Sequence, residues 1–472
     1  MHSTTPEQTR RNFLGRTSMG LGALAAASIS QDSDLLARHR KTGPGMGLHH
    51  PAKARRVIYL HMSGGPSHLD TFDNKPQMQA HHGEPLPPSV IGKQRLTTMT
   101  REQDKLLVAA TQQEWGRYGE SGMEMNTAFK EISTIADEMC LIKSVHSKPI
   151  NHDPAVTFLQ TGSPLSGRPC LGSWLSYGLG SENRDLPEFV VLLSNGGQPV
   201  PSRYWHNGFL PSRHQGVQFQ SKGDPVLYLS NPEGIDDKNR KNLVTGINEL
   251  NQLKRKQIGD PEIEARINAY ELAYRMQSSV PELMDISRES KETLEAYGAS
   301  PGNSGFANNC LLARRLAEAG VRFIQLYDRG WDHHSDVTSN IKNKINQVDK
   351  SCAALIRDLK QRGLLDDTLV IWGGEFGRTS YGQDRGETYG RDHHPNCFSL
   401  WMAGGGTKGG TTIGETDDFG YNVAKDKVEI HDLHATMLHL LGIDHERLIY
   451  KFKGRDFRLT DVAGNVVQAA LA

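Results

Sequence analysis

Residues 389–401, YGRDHHPNCFSLW, carry an aspartate and two consecutive histidines, and the same triplet recurs in DRGWDHHSD at 328–336. Imidazole nitrogens beside carboxylate oxygens are the donors of divalent-metal sites, suiting zinc, manganese or iron better than calcium, which takes oxygen alone. Two further doublets, His49-His50 and His81-His82, lack the preceding Asp and lie in Gly/Pro-rich stretches, so a doublet by itself carries little. Other chemistry-bearing residues are Ser67, His68 and Asp70 in SGGPSHLD, His152-Asp153 in NHDPAV, and Glu375 and Arg378 in GGEFGRT. A metal among them would polarise an ester oxygen or activate water, and Arg378 would clamp an anionic oxygen through two parallel N–H donors. Against this stands a plainer reading: hydrogen-bonding loop clusters, with Glu375 a salt-bridge partner. On the helix HDLHATMLHLLGI, His439 reads as structural, while His434 stays undecided.

The elements that must position these residues alternate. Apolar runs at 57–62, 139–145, 188–194, 321–327, 368–372 and 397–406 predict strands, most of them ending on glycine or polar residues. Stretches at 154–162, 308–320, 345–363 and 431–443 have helical spacing, and 96–139 reads as polar helix. Residues 195–230 are irregular and aromatic, placed to cover a site. Residues 236–296 are charged with helical spacing (Ile247, Leu250, Leu253; Ile263, Ile267, Leu272) and predict a helical insertion. The alternation predicts an α/β fold, a mostly parallel sheet with helices on both faces. Ligands of such sheets lie beyond the carboxyl ends of the strands, which gathers most of the residues above in one place. GGGTKGG (404–410) lacks the spacing of a phosphate loop and reads as a turn.

Composition removes whole classes of partner. Lys+Arg and Asp+Glu are both 54, so nothing calls for nucleic acid or an anionic surface. The five cysteines (140, 170, 310, 352, 397) are scattered without a CxxC, against a thiolate zinc site. TRRNFLGRTSMGLGALAAASIS near the amino terminus pairs Arg10-Arg11 with a short, weakly apolar run, the pattern of a twin-arginine (Tat) signal. That predicts a signal at 1–30, a linker at 31–54, a main domain at 55–472 without a transmembrane segment, recognition by the Tat machinery, and a periplasmic or extracellular location.

HMSGGPSHLDTFDNKP, GWDHHSD, GGEFGRT, GRDHHP, MAGGGTKGGTTIGETDDFGY and DLHATMLHLLGID together resemble a domain-of-unknown-function family of Tat-exported, sulfatase-like proteins in the alkaline phosphatase superfamily. The resemblance spans the mature chain and implies an alkaline-phosphatase-like sandwich holding one or two divalent ions, zinc or manganese first. It implies metal ligands at Asp332, His334 and Glu375 and at His393 or His394, with Phe376 where relatives carry a further His. It also implies hydrolysis of phosphate or sulfate esters. HDPAVTFLQTG fits the frame of the sulfatase nucleophile motif, but His152 stands at the nucleophile position and Val156 at the Arg position, which argues against a formylglycine mechanism. His152 is then a nucleophile or, preferably, a general base, with Asp153 orienting it and Arg378 the anion clamp. Ser67, His68 and Asp70 are expected to contact an anionic ester or polysaccharide-type substrate. The competing expectation is a non-catalytic relative that binds glycans or envelope partners.

Overall fold

The computed structural model describes residues 47–194, 200–226, 231, 234, 236–258, 261–383 and 388–472. The twin-arginine segment and most of the linker lie outside them.

The central strands are β1 (Arg56–Ser63), β2 (Met139–His146), β3 (Phe189–Leu193), β4 (Val217–Phe219), β5 (Phe323–Arg329) and β6 (Thr368–Gly373). Two more, β7 (Gly377–Gln383) and β8 (Gly390–His394), form a separate antiparallel hairpin. The sheet is completed by β9 (Phe398–Ala403), β10 (Thr411–Ile413) and β11 (Val428–Glu429). Its order is β10-β2-β9-β6-β1-β5-β3-β4, with β11 also on β2, and only β9 runs antiparallel to its neighbours.

Eight helices complete the frame used below: α1 (His152–Thr161), α2 (Leu171–Leu179), α3 (Asp237–Ile258), α4 (Pro261–Met284), α5 (Lys291–Tyr297), α6 (Phe306–Glu318), α7 (Val337–Gln361) and α8 (Ile430–Leu440). Alternation along β1 explains the layering. Ile58, Leu60 and Met62 join the core built with α6 and α7, whereas Val57 and Tyr59 join the core with α1, α2 and α8. A strand buried on both faces is apolar at most positions, which is why these strands read as largely continuous hydrophobic runs.

The fold is thus α/β, a mostly parallel sheet between two helical layers, with the long helices α3 and α4 in the expected insertion. One reading of local structure is corrected. Residues 96–139 are not a polar helix: they contain a hairpin (Trp115–Tyr118 with Met123–Asn126) and a kinked 3-10 turn at Ile132–Glu138. The strand expected at 368–372 is β6, and past it the chain leaves the sheet at Gly374–Phe376 and starts the β7/β8 hairpin.

Strands β1, β2, β5 and β6 are mutually parallel, so their carboxyl ends share one edge. Gly64, past β1, has φ +114°, and a Cβ there would stand 2.5 Å from the Asp332 backbone nitrogen. Only glycine lets the segment after β5 come that close.

Candidate metal centre

The two Asp-His-His triplets are zipped together. Ser335 bridges Tyr389 in antiparallel fashion, the Arg391 amide donates to the His333 carbonyl (3.1 Å), and the Val337 amide donates to the Tyr389 carbonyl (3.1 Å). A Cβ on Gly390 would fall 1.9 Å from the His334 carbonyl carbon, so glycine permits the two segments to lie this close. Asp336 caps α7 immediately afterwards by accepting from the Ser339 amide, which ends the loop that carries the first triplet.

This pairing gathers His152, Asp332, His334 and His393, each offering a ligand atom within 4.8 Å of the others. The Asp332 Oδ1 oxygen lies 3.2 Å from His152 Nε2, 2.8 Å from His334 Nε2 and 3.3 Å from His393 Nε2, and the last two nitrogens are 3.1 Å apart. A tetrahedron with bonds of about 2.0–2.1 Å has edges of about 3.3 Å, so these separations are close to those of a four-donor shell.

The outer partners fix which nitrogen faces inward. His393 Nδ1 is 3.0 Å from the Ile150 carbonyl, His334 Nδ1 is 2.7 Å from Gln383 Oε1, and His152 Nδ1 is 2.6 Å from Glu375 Oε1. Each partner accepts, so each Nδ1 donates a proton there, and Nε2 is the nitrogen that faces Asp332 Oδ1 and would turn a lone pair to a bound ion. Lone pairs of His334 and His393 at 3.1 Å repel unless a cation, metal or proton, lies between them. The donor set, three imidazoles and one carboxylate without sulfur, fits zinc or manganese.

Electrostatics agree with a site built for positive charge. Burial works to raise the Asp332 carboxyl, but hydrogen bonds from His152, His334 and His393 and the charge of Arg378 hold it well below the usual carboxylate range. Burial likewise opposes protonation of His152, yet hydrogen bonds to Asp332 and Glu375 push it up to about 9. His393, by contrast, is driven down to about 4, chiefly by burial. The cluster reaches solvent through His152, whose side chain is 25% exposed, and Asp332, at 20%. The Phe376 ring packs on His152 and His393, with centroids 4.9 and 4.7 Å away, and closes one side.

Several expected site residues are placed elsewhere. Glu375 stands one step back, receiving Gly64 N–H (3.0 Å) and His152, with His61 Nε2 3.6 Å behind it. His394 is directed out of the cluster, bonded through Nε2 to the Tyr421 carbonyl (2.6 Å) and stacked on that ring. Arg378 is buried and its donors are spent on the Gly64, Gly65 and Arg391 carbonyls and on Asp332 (2.6 Å), so it braces Asp332 and has no free fork for substrate. Ser67, His68 and Asp70 form an internal brace. Ser67 and Thr111 donate to Asp70 (2.5 and 2.6 Å), Arg391 pairs with it (2.7 Å), and His68 bonds the Gly420 carbonyl (2.9 Å). All three are buried and face no solvent. Asp153 does not orient His152; it points to solvent, 58% exposed, paired with Arg203 and accepting from the Tyr204 hydroxyl (2.9 Å). Sequence reasoning missed Gln383, His61 and the Ile150 carbonyl. A polar residue closing β7 was a faint signal for the first, and nothing in the sequence marks the last.

Residues 54–471 match the family model described as "Protein of unknown function (DUF1501)". Among curated proteins none matches by sequence. Solved structures that resemble the chain include Ps i-CgsB in complex with k-i-k-neocarrahexaose (10% identity over 82% of this chain and 72% of that one, TM-score 0.36). They also include the sulfatase PsFucS1 from Pseudoalteromonas sp. (13% identity, 83% and 68%, TM-score 0.33). A third is the alkaline phosphatase of the Antarctic bacterium TAB5 (10% identity, 83% and 98%, TM-score 0.33).

Proposed function

The chain belongs to the DUF1501 family of proteins of unknown function, and for this member we propose an exported metal-dependent hydrolase of phosphate or sulfate esters. The observation that supports the reading is the cluster of His152, His334 and His393, each turning Nε2 inward, with Asp332, their ligand atoms within 4.8 Å of one another. His152, Asp332, His334 and His393 would hold one divalent ion, zinc or manganese. When bound, such an ion supplies Lewis acidity toward an ester oxygen and makes water a usable nucleophile near neutral pH.

The chain's own groups prepare that point. Glu375 Oε1, Gln383 Oε1 and the Ile150 carbonyl each hold a proton at a ligand's Nδ1, keeping Nε2 basic and the rings fixed. Arg378 fixes Asp332 Oδ1, and Phe376 excludes water from the buried side. With both nitrogens engaged, His152 serves as a ligand in this scheme and takes no part as nucleophile. Substrate reaches the group from the side of Asp153 and Arg203, where His152 is exposed.

Elemental analysis of protein purified without chelator, beside His334→Ala, is the first test. One equivalent of zinc or manganese in the wild type and none in the variant is expected, with aryl phosphate or aryl sulfate hydrolysis tracking metal content. Absence of stoichiometric metal in the wild type sinks the reading. One observation favours a second reading, a non-catalytic binder of glycans: the guanidinium of Arg378, the expected anion clamp, is fully spent inside the protein. Metal-loaded protein that retains glycan and turns over no ester would select it. Export rests on Arg10-Arg11 and the run after it; replacing the pair by Lys-Lys should hold the protein in the cytoplasm.

A further inference from the structure

Along α1 from the metal group lies a small cleft that opens to solvent, lined by Thr157, Thr161, Ser166, Arg168, Arg203 and His206, with Gly167 and Gly208 at its wall. Arg203 joins the two places: it lines this cleft and pairs with Asp153, the residue after His152. With a rise of about 1.5 Å per residue, Thr157 and Thr161 lie about 8 and about 14 Å along the helix from His152.

The groups free to act in the cleft are donors. Thr157 and Thr161 spend their hydroxyl protons on the Asp153 and Thr157 carbonyls. Arg203 donates to Asp153 through Nη2, which leaves further N–H groups on a side chain that is 44% exposed. Arg168 donates through Nη2 to Asp461 (3.1 Å) and stacks on Phe457, while its buried Nη1 has no hydrogen-bond partner among the described residues. His206 Nδ1 accepts from the Gly208 amide, so its proton resides on Nε2. The two guanidiniums that line the cleft are each paired with one carboxylate at its margin, Arg168 with Asp461 and Arg203 with Asp153. The N–H groups of Arg203, Arg168 and His206 left over from these bonds are donors, and donors of this kind recognise an oxyanion.

We propose that this cleft is an anion subsite, in which Arg203 and Arg168 hold a sulfate, phosphate or carboxylate group of a polyanionic saccharide whose neighbouring ester reaches the metal group. Calling it a substrate subsite rests on the hydrolase reading; the binding itself does not. Asp153 then acts as the positioning residue for Arg203, which accounts for its turning away from His152.

The test is calorimetric binding of a sulfated disaccharide, a phosphorylated disaccharide and the unsubstituted disaccharide to the full chain, to Arg203→Gln and to His334→Ala. The expected result is binding of one or both charged sugars to wild type and to His334→Ala alike, at least about tenfold weaker in Arg203→Gln and absent for the neutral sugar. The two charged sugars tell which oxyanion is preferred. Equal binding of charged and neutral sugars, or unchanged affinity in Arg203→Gln, overturns the proposal. Arg203→Lys, which keeps the charge without the fork, should fall between wild type and Arg203→Gln. Because His334→Ala lacks a metal ligand, Arg203-dependent binding in that variant separates the subsite from the hydrolase reading. The subsite would then stand even if no ester were turned over.

Discussion

The two Asp-His-His triplets have the same three residues and use them in opposite phase. At 332–334 the first and third residues face the cluster, while His333 turns away and bonds the Gly330 carbonyl (3.0 Å). At 392–394 only the middle residue faces it. Asp392 accepts from Thr97, Thr100 (2.7 Å) and the His393 amide (2.7 Å), and His394 bonds Tyr421. Extended backbone sends successive side chains to opposite sides, so a one-residue shift in phase exchanges ligand for brace. A metal-ligand motif is therefore specified by its register against the partner segment as much as by its letters.

The largest expected effect breaks the comparison directly. Asp332→Ala and His393→Ala should each lower metal affinity by more than about 100-fold, beyond the roughly 10–100-fold typical of an outer partner. Asp392→Asn and His394→Gln should keep one equivalent of metal and instead cost about 1–3 kcal/mol of stability, because each disturbs buried hydrogen bonds. Metal analysis and denaturant midpoints on the four variants read both quantities. Loss of metal in Asp392→Asn with retention in Asp332→Ala would reverse the assignment of phase.

Acid sharpens the contrast through the imidazoles that turn into the core. His394 is buried and pushed down to about 3, and so is His434, far from either triplet and bonded to the Leu159 carbonyl (2.8 Å). For His434 burial is the main cause, with the neighbouring His431 adding to it. The unfolded chain takes up a proton at the ordinary value of 6.5, whereas the folded one resists until about 3. Below 6.5 the unfolded state binds more protons, so stability falls as pH falls, by about 3 kcal/mol per such group at pH 4. Denaturant titrations at pH 7 and pH 4.5 should show this loss, and His434→Gln should flatten it. An unchanged slope in His434→Gln would remove this histidine from the account.

The frame of the protein was legible and the second half of the site was not, for physical reasons. Strands buried on both faces are apolar at most positions, and several here turn on glycine at their ends. Runs such as Val57–Met62 and Leu369–Trp372 therefore announced themselves, and the edge rule gathered His152, Asp332, His334 and Glu375. The stretch at 96–139 was misread because a polar segment with scattered apolar residues satisfies helical spacing by chance, while its hairpin is held by partners distant in sequence. The β7/β8 hairpin was hidden because its residues are buried polar side chains bonded to one another, so hydrophobic alternation carried no signal there. Without that hairpin the phase of Asp392-His393-His394 could not be read, and His394 stayed a candidate equal to His393. Arg378 looked like a clamp because the sequence shows its charge but not the Gly64 and Gly65 carbonyls that consume it.

An intermediate effect tests how far the cluster depends on what stands behind it. Glu375→Gln keeps the shape and an acceptor oxygen but removes the charge next to His152 Nδ1. Metal affinity should fall by about tenfold or more, with the Gly64 contact and the fold retained. Competition against a chromophoric chelator measures this. If Glu375→Gln abolished the metal as completely as Asp332→Ala, Glu375 would itself be a ligand, as the family resemblance implies, and the centre would be larger than four donors.

The smallest effect is expected at His333, and it is the most exacting check on phase. His333 has the middle position that His393 has in the other triplet, is almost as buried, and is pushed down to about 4, mainly by burial. Its ring makes one backbone hydrogen bond, to Gly330, and a loose contact with Trp331 at 6.4 Å between centroids. His333→Gln can keep a donor near that carbonyl, so the cost should stay within about 1 kcal/mol, with metal content unchanged. If His333→Gln emptied the site while His393→Gln left it filled, the middle residue of the first triplet would be the ligand. The loop at 332–334 would then have to shift by one residue against β8, moving the Arg391-to-His333 backbone bond with it. Backbone alternation thus ties the outcome at His333 to the outcomes at Asp332 and His334, and the three cannot vary independently.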